Sequence, residues 1–290
     1  MGWVLIVNPF ASGVDESRID AVKSALPDDT EVLLTHRSGE ATELARDADG
    51  SAGAIVVFAG DGTYNEVLNG VSGRTPLGFV PGGGTSVLPR VLGLPRDPAA
   101  AAARIAAGRE RRIGLGRANG RRFGFNAGVG LDAELVRAVD RMGRRADGKR
   151  PGDTAFARAA LGLVTRRRGR FEPALEIGGL GRAAFVMVAN CSPYTYSGSY
   201  AIDVAPDASF EAGLDLVAPV RAAAASLPGL VWAVASGHAA GRDDVLTAHD
   251  CDSVAVRCDL PMPLQVDGED LGDVETVLFE AERDAVTVLC

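Results

Sequence analysis

The first part of the chain alternates short unbroken apolar runs with amphipathic stretches. Such runs, rich in β-branched residues, predict strands buried on both faces of a parallel sheet. The amphipathic stretches predict helices that cross from one strand to the next with right-handed connections. The predicted strands are residues 3–7, 30–34, 55–58 and 77–80, and the predicted helices are residues 19–26, 41–47 and 95–108, the last with Asp97 as N-cap and Pro98 at its first position.

The pattern changes near residue 111, where short alternating runs separated by turns predict an antiparallel second domain. The predicted strands there are residues 113–117, 122–126, 184–189, 214–218, 253–257 and 264–269. Two helices, residues 132–139 and 156–164, are predicted as insertions in that domain. Apolar residues alternate again at residues 275–290.

A Gly60-Asp61-Gly62-Thr63 turn follows the strand predicted at residues 55–58. Asn65 and Glu66 then begin a helix, for which we expect Thr63 as N-cap and Glu66 as its capping-box partner. A glycine turn between a strand and a helix start is typical of phosphate binding. A carboxylate repels a nearby phosphate unless a cation lies between them or the carboxylate takes a proton from the substrate. Asp61 is therefore a candidate for binding a cation or for accepting that proton. An ordinary turn closed by an Asx-type bond is the alternative.

Two more segments have the same design. Residues 82–85 are Gly-Gly-Gly-Thr after the strand at residues 77–80, and Asn8 to Gly13 follow the first strand. Because parallel strands bring their carboxyl ends to one edge of the sheet, we expect the three turns to converge there as a ligand site.

These motifs resemble the diacylglycerol kinase catalytic family, which includes bacterial lipid kinases and sphingosine kinases and is distantly similar to NAD kinases and 6-phosphofructokinases. The matching pieces follow the family's order across nearly the whole chain. They are Asn8-Pro9 with Ser12-Gly13, Thr35 with Gly39-Glu40-Ala41, Gly60 to Thr63 with Asn65 and Glu66, Pro81 to Thr85 with Leu92 to Pro95, and Val266-Asp267-Gly268-Glu269.

The resemblance implies an N-terminal Rossmann-like parallel α/β domain, residues 1–112, and a β-sandwich lipid-substrate domain, residues 113–274, with residues 275–290 returning to the first domain. It implies transfer of the γ-phosphoryl group of ATP, with Mg²⁺, to a diacylglycerol-like lipid hydroxyl. Catalysis is expected from Asp61 and from Asp267 or Glu269 as the base, although the Asp267-Gly268 pair alone predicts an ordinary hairpin. The expected nucleotide ligands are Asn8, Pro9, Ser12, Gly13, Thr35, Gly60, Asp61, Gly62, Thr63, Asn65, Glu66, Gly83, Gly84 and Thr85.

Three departures from the family pattern limit how far the family's residue roles can be assigned to this chain. Ala59 replaces the first glycine of the usual Gly-Gly-Asp-Gly. The family's second glycine loop usually continues Thr-x-Asn-Asp, whereas Thr85 is followed here by Ser86-Val87, so a carboxylate expected near the cation is absent. The segment matching the family's structural magnesium site keeps only Glu211 and Asp215 as charged candidates, which weakens the expectation of that metal.

Composition narrows the class of partner. With 290 residues, 47% of them hydrophobic, and a net charge of −8, the chain is globular and lacks the basic surface of a nucleic-acid binder. Four cysteines without C-x-x-C spacing predict unpaired thiols in a reducing cytoplasm. No spanning segment or leader is predicted.

We therefore expect a cytoplasmic protein that contacts the inner face of the membrane peripherally, with a homodimer left open. The basic segments 141–152 and 166–170 are candidates for that contact, or else ordinary solvated helix ends. A sphingoid, ceramide or soluble-alcohol kinase and a regulator with impaired catalysis stay open as alternatives.

Overall fold

The computed structural model describes residues 1–143 and 153–290. The chain forms two compact units. The first unit comprises Met1–Leu115 and Arg283–Cys290, and the second comprises Gly116–Glu282. The predicted boundaries were residues 112 and 275, whereas the two units divide after residues 115 and 282. Residues 144–152 of the predicted basic segment lie outside the described residues.

The first unit contains a five-stranded parallel sheet in the order β16-β4-β3-β1-β2. Its alternation of strands and helices confirms the predicted α/β class. The elements are β1 (Val4–Val7), α1 (Glu16–Ser24), β2 (Glu31–Leu34), α2 (Glu40–Ala48), β3 (Ile55–Ala59), α3 (Asp61–Gly70), β4 (Leu77–Pro81), α4 (Val87–Val91), α5 (Pro98–Ala106) and the start of β5 (Glu110–Ala118).

Helices α1 and α5 of this unit begin with aspartate N-caps. Asp15 accepts the Arg18 N–H at 2.9 Å before α1. Asp97 accepts the Ala100 N–H at 2.8 Å before α5, as its position ahead of Pro98 predicts. The helix expected after the second glycine segment is α4, which has only five residues because Leu92 and the left-handed Gly93 end it.

The second unit is antiparallel and includes two inserted helices, as predicted. Its elements are the end of β5, β6 (Arg121–Phe123), β7 (Asn126–Val129), α6 (Leu131–Asp140), α7 (Asp153–Arg166), β8 (Leu175–Ile177), β9 (Gly181–Ala183), β10 (Val186–Ala189), β11 (Thr195–Ser197), β12 (Tyr200–Ile202), β13 (Leu214–Pro219), α8 (Leu227–Ala235), β14 (Val245–Cys251), β15 (Ser253–Val266) and most of β16 (Glu269–Leu289).

Its strands are ordered β14-β13-β10-β7-β15-β16. The early half of β15 pairs with β8 and its late half with β7, and side chains from both regions bury into one core. A second core lies between β10, β13 and α8. Helix α8 is absent from the sequence-based expectations, because its apolar residues occupy nearly every position and give no helical periodicity.

The last strand passes from the second unit into the first. At its end Val288 pairs in parallel with Leu77 of β4, and Val286 and Val288 are fully buried. This confirms the expected return of the C-terminal tail.

No helix in the described ranges is both long and apolar enough to cross a membrane. All four cysteines are free.

Candidate functional site

The turns that follow β1, β3 and β4 meet at one edge of the first unit's sheet. We call them the first turn (residues 8–13), the second turn (residues 60–63) and the third turn (residues 81–86). The Asn8 side-chain amide donates to the Thr63 hydroxyl at 3.0 Å, which joins the first turn to the second. Its carbonyl oxygen accepts the Phe10 N–H at 2.9 Å and shapes the first turn itself.

Glycines allow the three turns to pack backbone against backbone. The Gly13 N–H donates to the Gly82 carbonyl at 2.8 Å, and a Cβ on Gly13 would lie only 2.9 Å from that oxygen. A Cβ on Gly83 would lie 2.8 Å from the Cα of Gly60. Because no side chain fits at these contacts, glycine is required for the convergence that the sequence predicts.

Asp61 connects the second turn to the third. Its Oδ1 accepts the Val87 N–H at 2.8 Å, so the carboxylate holds the start of α4 in place. It is the sole carboxylate that the sequence places in the three turns, at residues 8–13, 60–63 and 81–86. Asp61 is therefore positioned to influence a ligand bound at all three.

The predicted capping box on α3 is wrong. Helix α3 begins at Asp61 with Gly60 as N-cap, because the Gly60 carbonyl accepts the Thr63 and Tyr64 N–H groups at 3.1 and 3.2 Å. Glu66 instead accepts the Ala41 N–H at 3.3 Å and so satisfies a free donor in the first turn of α2.

Tyr64 is a residue at this edge that sequence reasoning missed. Its buried hydroxyl lies 2.7 Å from the carbonyl oxygens of both Ala59 and Val80, at the ends of β3 and β4. Burial, and secondarily the charge of Asp61, raises the pKa of this phenol, so Tyr64 stays neutral and ties the two strand ends together. No spacing in the sequence signals this role.

A pocket of about 330 Å³ opens beside the first and third turns. Gly13, the third turn and the beginning of α5 line it. Three arginines, Arg18, Arg90 and Arg96, also line it, against one carboxylate, Asp97. Planar guanidinium groups beside free backbone N–H groups suit a phosphate-bearing anion.

The predicted nucleotide residues divide into three groups. Gly13, Gly83, Gly84 and Thr85 line the pocket, with Gly84 and Thr85 exposed. Asn8, Gly60, Asp61 and Thr63 bind the turns to one another. The rest lie around this edge. Pro9 and Gly62 are half-buried, Ser12 is exposed, and Thr35 is buried with its N–H on the Val7 carbonyl. Asn65 is buried within α3 next to Asn69, and Glu66 is half-buried with its carboxylate on the Ala41 N–H.

In the second unit, the Asp267 side chain holds two backbone segments together. Its buried carboxylate accepts the backbone N–H groups of Gly124, Phe125 and Asn126 at 2.7, 2.9 and 3.2 Å. These bonds fasten the hairpin after β15 to the turn between β6 and β7. Asp267 itself adopts a left-handed conformation with φ of 47°.

Glu269 is placed differently. Its side chain is about one-third exposed and pairs with the Arg121 guanidinium at 3.0 Å. Of the two acidic residues in this motif, Glu269 is the more accessible to a ligand.

A polar cluster under this hairpin was not predicted. Gln265 donates to Asp132 at 2.6 Å, while the Tyr194 hydroxyl donates to Asp132 at 2.8 Å. The Gln265 carbonyl oxygen accepts the Gly268 N–H at 2.9 Å, so the cluster supports the Asp267-Gly268 turn. Burial raises the pKa of the Asp132 carboxyl, against the opposing effect of these two hydrogen bonds. The one sequence signal was Tyr194 in a tyrosine-rich turn.

The candidates for a structural magnesium site do not form one around Asp215. Both Asp215 carboxylate oxygens lie 2.9 Å from His249 Nδ1, and Oδ1 also accepts the Asp250 N–H at 3.0 Å. Glu211 is exposed. Within residues 1–143 and 153–290, no cluster of three or more histidine, cysteine or acidic side chains could hold a metal. The His249 imidazole thus pairs with the carboxylate of Asp215, one of the two candidate ligands.

Known proteins share this architecture. A diacylglycerol kinase structure from Bacillus anthracis str. Sterne superimposes with a TM-score of 0.71 at 20% identity, covering 99% of this chain and 96% of the other. An Archaeoglobus fulgidus NAD kinase in complex with ATP gives a TM-score of 0.51 at 12% identity, covering 99% and 93%. The chain therefore has the fold common to diacylglycerol kinases and NAD kinases.

Sequence comparison narrows this class. Residues 2–118 match the model of the diacylglycerol kinase catalytic domain. The diacylglycerol kinase of Bacillus subtilis (strain 168) is 38% identical over 113 residues, which are 37% of each chain. The N-terminal part of the chain is thus similar to the diacylglycerol kinase catalytic domain family. Its alignments span 32 to 49% of the length of the first curated relatives.

Proposed function

We propose that this protein is an ATP-dependent lipid kinase that transfers the γ-phosphoryl group to the hydroxyl of a diacylglycerol-like lipid. The observation that carries the proposal is the convergence of three glycine turns beside a pocket lined by Arg18, Arg90 and Arg96. The match of residues 2–118 to the diacylglycerol kinase catalytic domain and the names of the relatives support the choice of a lipid acceptor.

The nucleotide is assigned to the first unit. Gly84 and Thr85 would contact phosphate oxygens through the backbone, and the three arginines would neutralise part of the phosphate charge. Asp61 would meet the Mg²⁺ that accompanies ATP, which supplies further charge neutralisation at the β- and γ-phosphates. The carboxylate missing after Thr85 would have helped to hold that cation, whereas the arginines would supply positive charge at the phosphates directly.

The acceptor is assigned to the second unit. We assign Glu269 as the general base, because its carboxylate is partly exposed, unlike that of Asp267. Asp267 is assigned to positioning, because three backbone N–H groups already bind its carboxylate. The Asp132, Tyr194 and Gln265 cluster would keep the hairpin that carries Glu269 in place. Catalysis by positioning and electrostatics is sufficient for phosphoryl transfer.

The test is transfer of labelled phosphate from ATP, with Mg²⁺, to a panel of acceptors: diacylglycerol, sphingosine, ceramide and glycerol, each with the product identified by mass spectrometry. We expect a phosphorylated diacylglycerol as the main product. A main product from sphingosine, ceramide or glycerol would replace the proposed acceptor. ATP binding without transfer to any acceptor would identify a nucleotide-binding regulator. The missing carboxylate after Thr85 is the observation that favours this alternative.

A further inference from the structure

Helix α8 covers the second core of the second unit with one face only. Leu230, Ala233 and Val234 are buried, and Leu230 and Val234 pack in the cluster that contains Phe171 and Met187. The opposite face carries Val231 and Trp232, which are 55% and 63% exposed. The Trp232 ring stacks on His238 with centroids 5.2 Å apart, so this exposed indole has a defined position.

The outer face of α8 lacks the charges that a solvated helix normally carries. Residues 222–241 contain no aspartate, glutamate, lysine or arginine, although 23% of the whole chain is charged. An exposed tryptophan and valine without neighbouring charges form an apolar patch that water solvates poorly.

A basic turn lies directly beside the start of α8. The Phe171 and Ala222 backbones exchange two hydrogen bonds of 2.9 Å. A Cβ on Gly169 would lie 2.7 Å from that of Ala224, three residues before the helix. Arg166, Arg168 and Arg170 in this turn are exposed. Residues 166–172 hold four arginines and one glutamate, in a protein with a net charge of −8.

We propose that the outer face of α8, with the basic turn of residues 166–170, docks the protein on an anionic lipid bilayer. Tryptophan with an aliphatic neighbour favours the membrane interface, and arginines at its border attract anionic headgroups. This charge complementarity selects the bilayer as the occupant. A second copy bound through the same patch in a symmetric dimer would instead bring the two basic turns close to each other.

This inference rests on the proposed function only for its motive, since a lipid kinase must reach its substrate in a membrane. The docking test needs no catalysis. The chain has two tryptophans, so Trp3→Phe leaves Trp232 as the sole reporter. With phosphatidylglycerol vesicles we expect a blue shift of Trp232 emission and quenching by brominated lipid. Binding should weaken with added salt, and phosphatidylcholine vesicles should bind at least tenfold less.

Two double variants test the parts of the surface. Val231→Ser with Trp232→Ser, and Arg168→Gln with Arg170→Gln, should each lower sedimentation with phosphatidylglycerol vesicles at least tenfold. The matched controls are Leu260→Ser, a 75% exposed leucine on β15, and Arg46→Gln with Arg104→Gln on α2 and α5. The controls should bind vesicles like the parent. Circular dichroism verifies that each variant is folded.

Unchanged vesicle binding in both folded double variants, or an unquenched Trp232, would overturn the proposal. A parent dimer that Trp232→Ser converts to a monomer in sedimentation velocity would also overturn it, in favour of a second copy. Phosphorylation of a short-chain, dispersed diacylglycerol is measured in parallel. Its absence in the parent would refute the kinase assignment while leaving the docking result intact, so the two failures are distinguishable.

Discussion

Asp61 lies in the second turn, between Gly60 and Gly62, and has both a structural partner and a proposed chemical role. Its Oδ1 accepts the Val87 N–H, a bond that an asparagine carbonyl oxygen could also accept. The negative charge, however, cannot be replaced by an amide. Substitution of Asp61 by asparagine can therefore separate the structural effect of this hydrogen bond from the effect of the negative charge.

Asp61→Asn should lower phosphoryl transfer on the order of 10² to 10³-fold, because an amide neither attracts the nucleotide's cation nor stabilises developing charge. The melting temperature should change by only a few degrees, because the bond to Val87 is retained. The control is Asp97→Asn at the same pocket, since asparagine is an equally good N-cap and α5 should be unaffected. Equal activity in both variants would remove Asp61 from the mechanism.

Asp267 and Glu269 should respond to substitution in opposite ways. Asp267→Asn places an amide N–H₂ against a backbone donor and should reduce the free energy of unfolding by about 1 to 3 kcal/mol. Glu269→Gln weakens the partly exposed pair with Arg121 and should change stability by less than about 1 kcal/mol. It should nevertheless lower turnover roughly 10²- to 10⁴-fold at unchanged ATP affinity.

Urea unfolding, calorimetry with ATP and turnover on short-chain diacylglycerol together distinguish these effects. A stable but inactive Asp267→Asn beside an active Glu269→Gln would reverse the assignment of the base.

Arg90 tests the charge of the pocket. Arg90→Gln should weaken ATP binding about tenfold, because a charge-assisted bond to phosphate is lost. Adenosine, which has no phosphate, should bind with unchanged affinity. Arg104→Gln, an exposed arginine on α5 that does not line the pocket, is the control. An equal loss of ATP and adenosine affinity would indicate a distorted pocket in place of a lost phosphate contact.

At the scale of elements, buried parallel strands were predictable from sequence because each is an unbroken apolar run followed by a turn. The start of α3 was not, because Glu66 matches a capping box by spacing but bonds to Ala41, 25 residues away. The Asp132 and Gln265 contact spans 133 residues and has no local signal at all. Local patterns thus predicted the turns, whereas contacts between distant elements decided the roles of individual side chains.

The pairing of β13 with β14 includes a titratable contact. The hydrogen bond and charge of Asp215 raise the pKa of His249 above its ordinary value of about 6.5. Because the folded-state pKa is raised, the stabilisation is fully present below about pH 6.5 and is lost as pH rises through the folded pKa. His249 is 58% exposed, so solvent screening limits the effect to no more than about 1 kcal/mol.

The melting temperature of the parent should therefore exceed that of His249→Gln at pH 6, and the difference should shrink by pH 9. His238→Gln, whose partner is the Ser236 hydroxyl, is the control and should show no such trend. If magnesium chloride raised the melting temperature of the parent at pH 9, Asp215 would be binding a cation after all.

At the scale of the whole molecule, the end of β16 ties the last residues of the chain to the first unit. Val288 pairs with Leu77 on the outer side of β4 and is fully buried. The alternation of residues 275–290 indicated a strand, but only the family resemblance indicated its destination, because apolar alternation does not specify a pairing partner.

Val288→Ala should reduce the free energy of unfolding by about 2 kcal/mol, from two lost methyl groups and the cavity they leave. The loss should appear as faster amide hydrogen exchange in β4 than in β10. Leu278→Ala, at a 42% exposed position on the same strand, should have little effect. Equal protection of β4 in both variants would show that this strand end contributes no stability to the first unit.

The position of this strand also orders events during translation. The ribosome makes residues 283–290 only after the entire 116–282 segment. At roughly 5 to 20 residues per second, that segment takes on the order of 10 to 30 s to synthesise. Throughout that interval the outer edge of β4 has no strand to pair with, and an unpaired edge is a template for association with other chains. The nascent first unit is therefore the part of this protein for which protection by a chaperone would matter most.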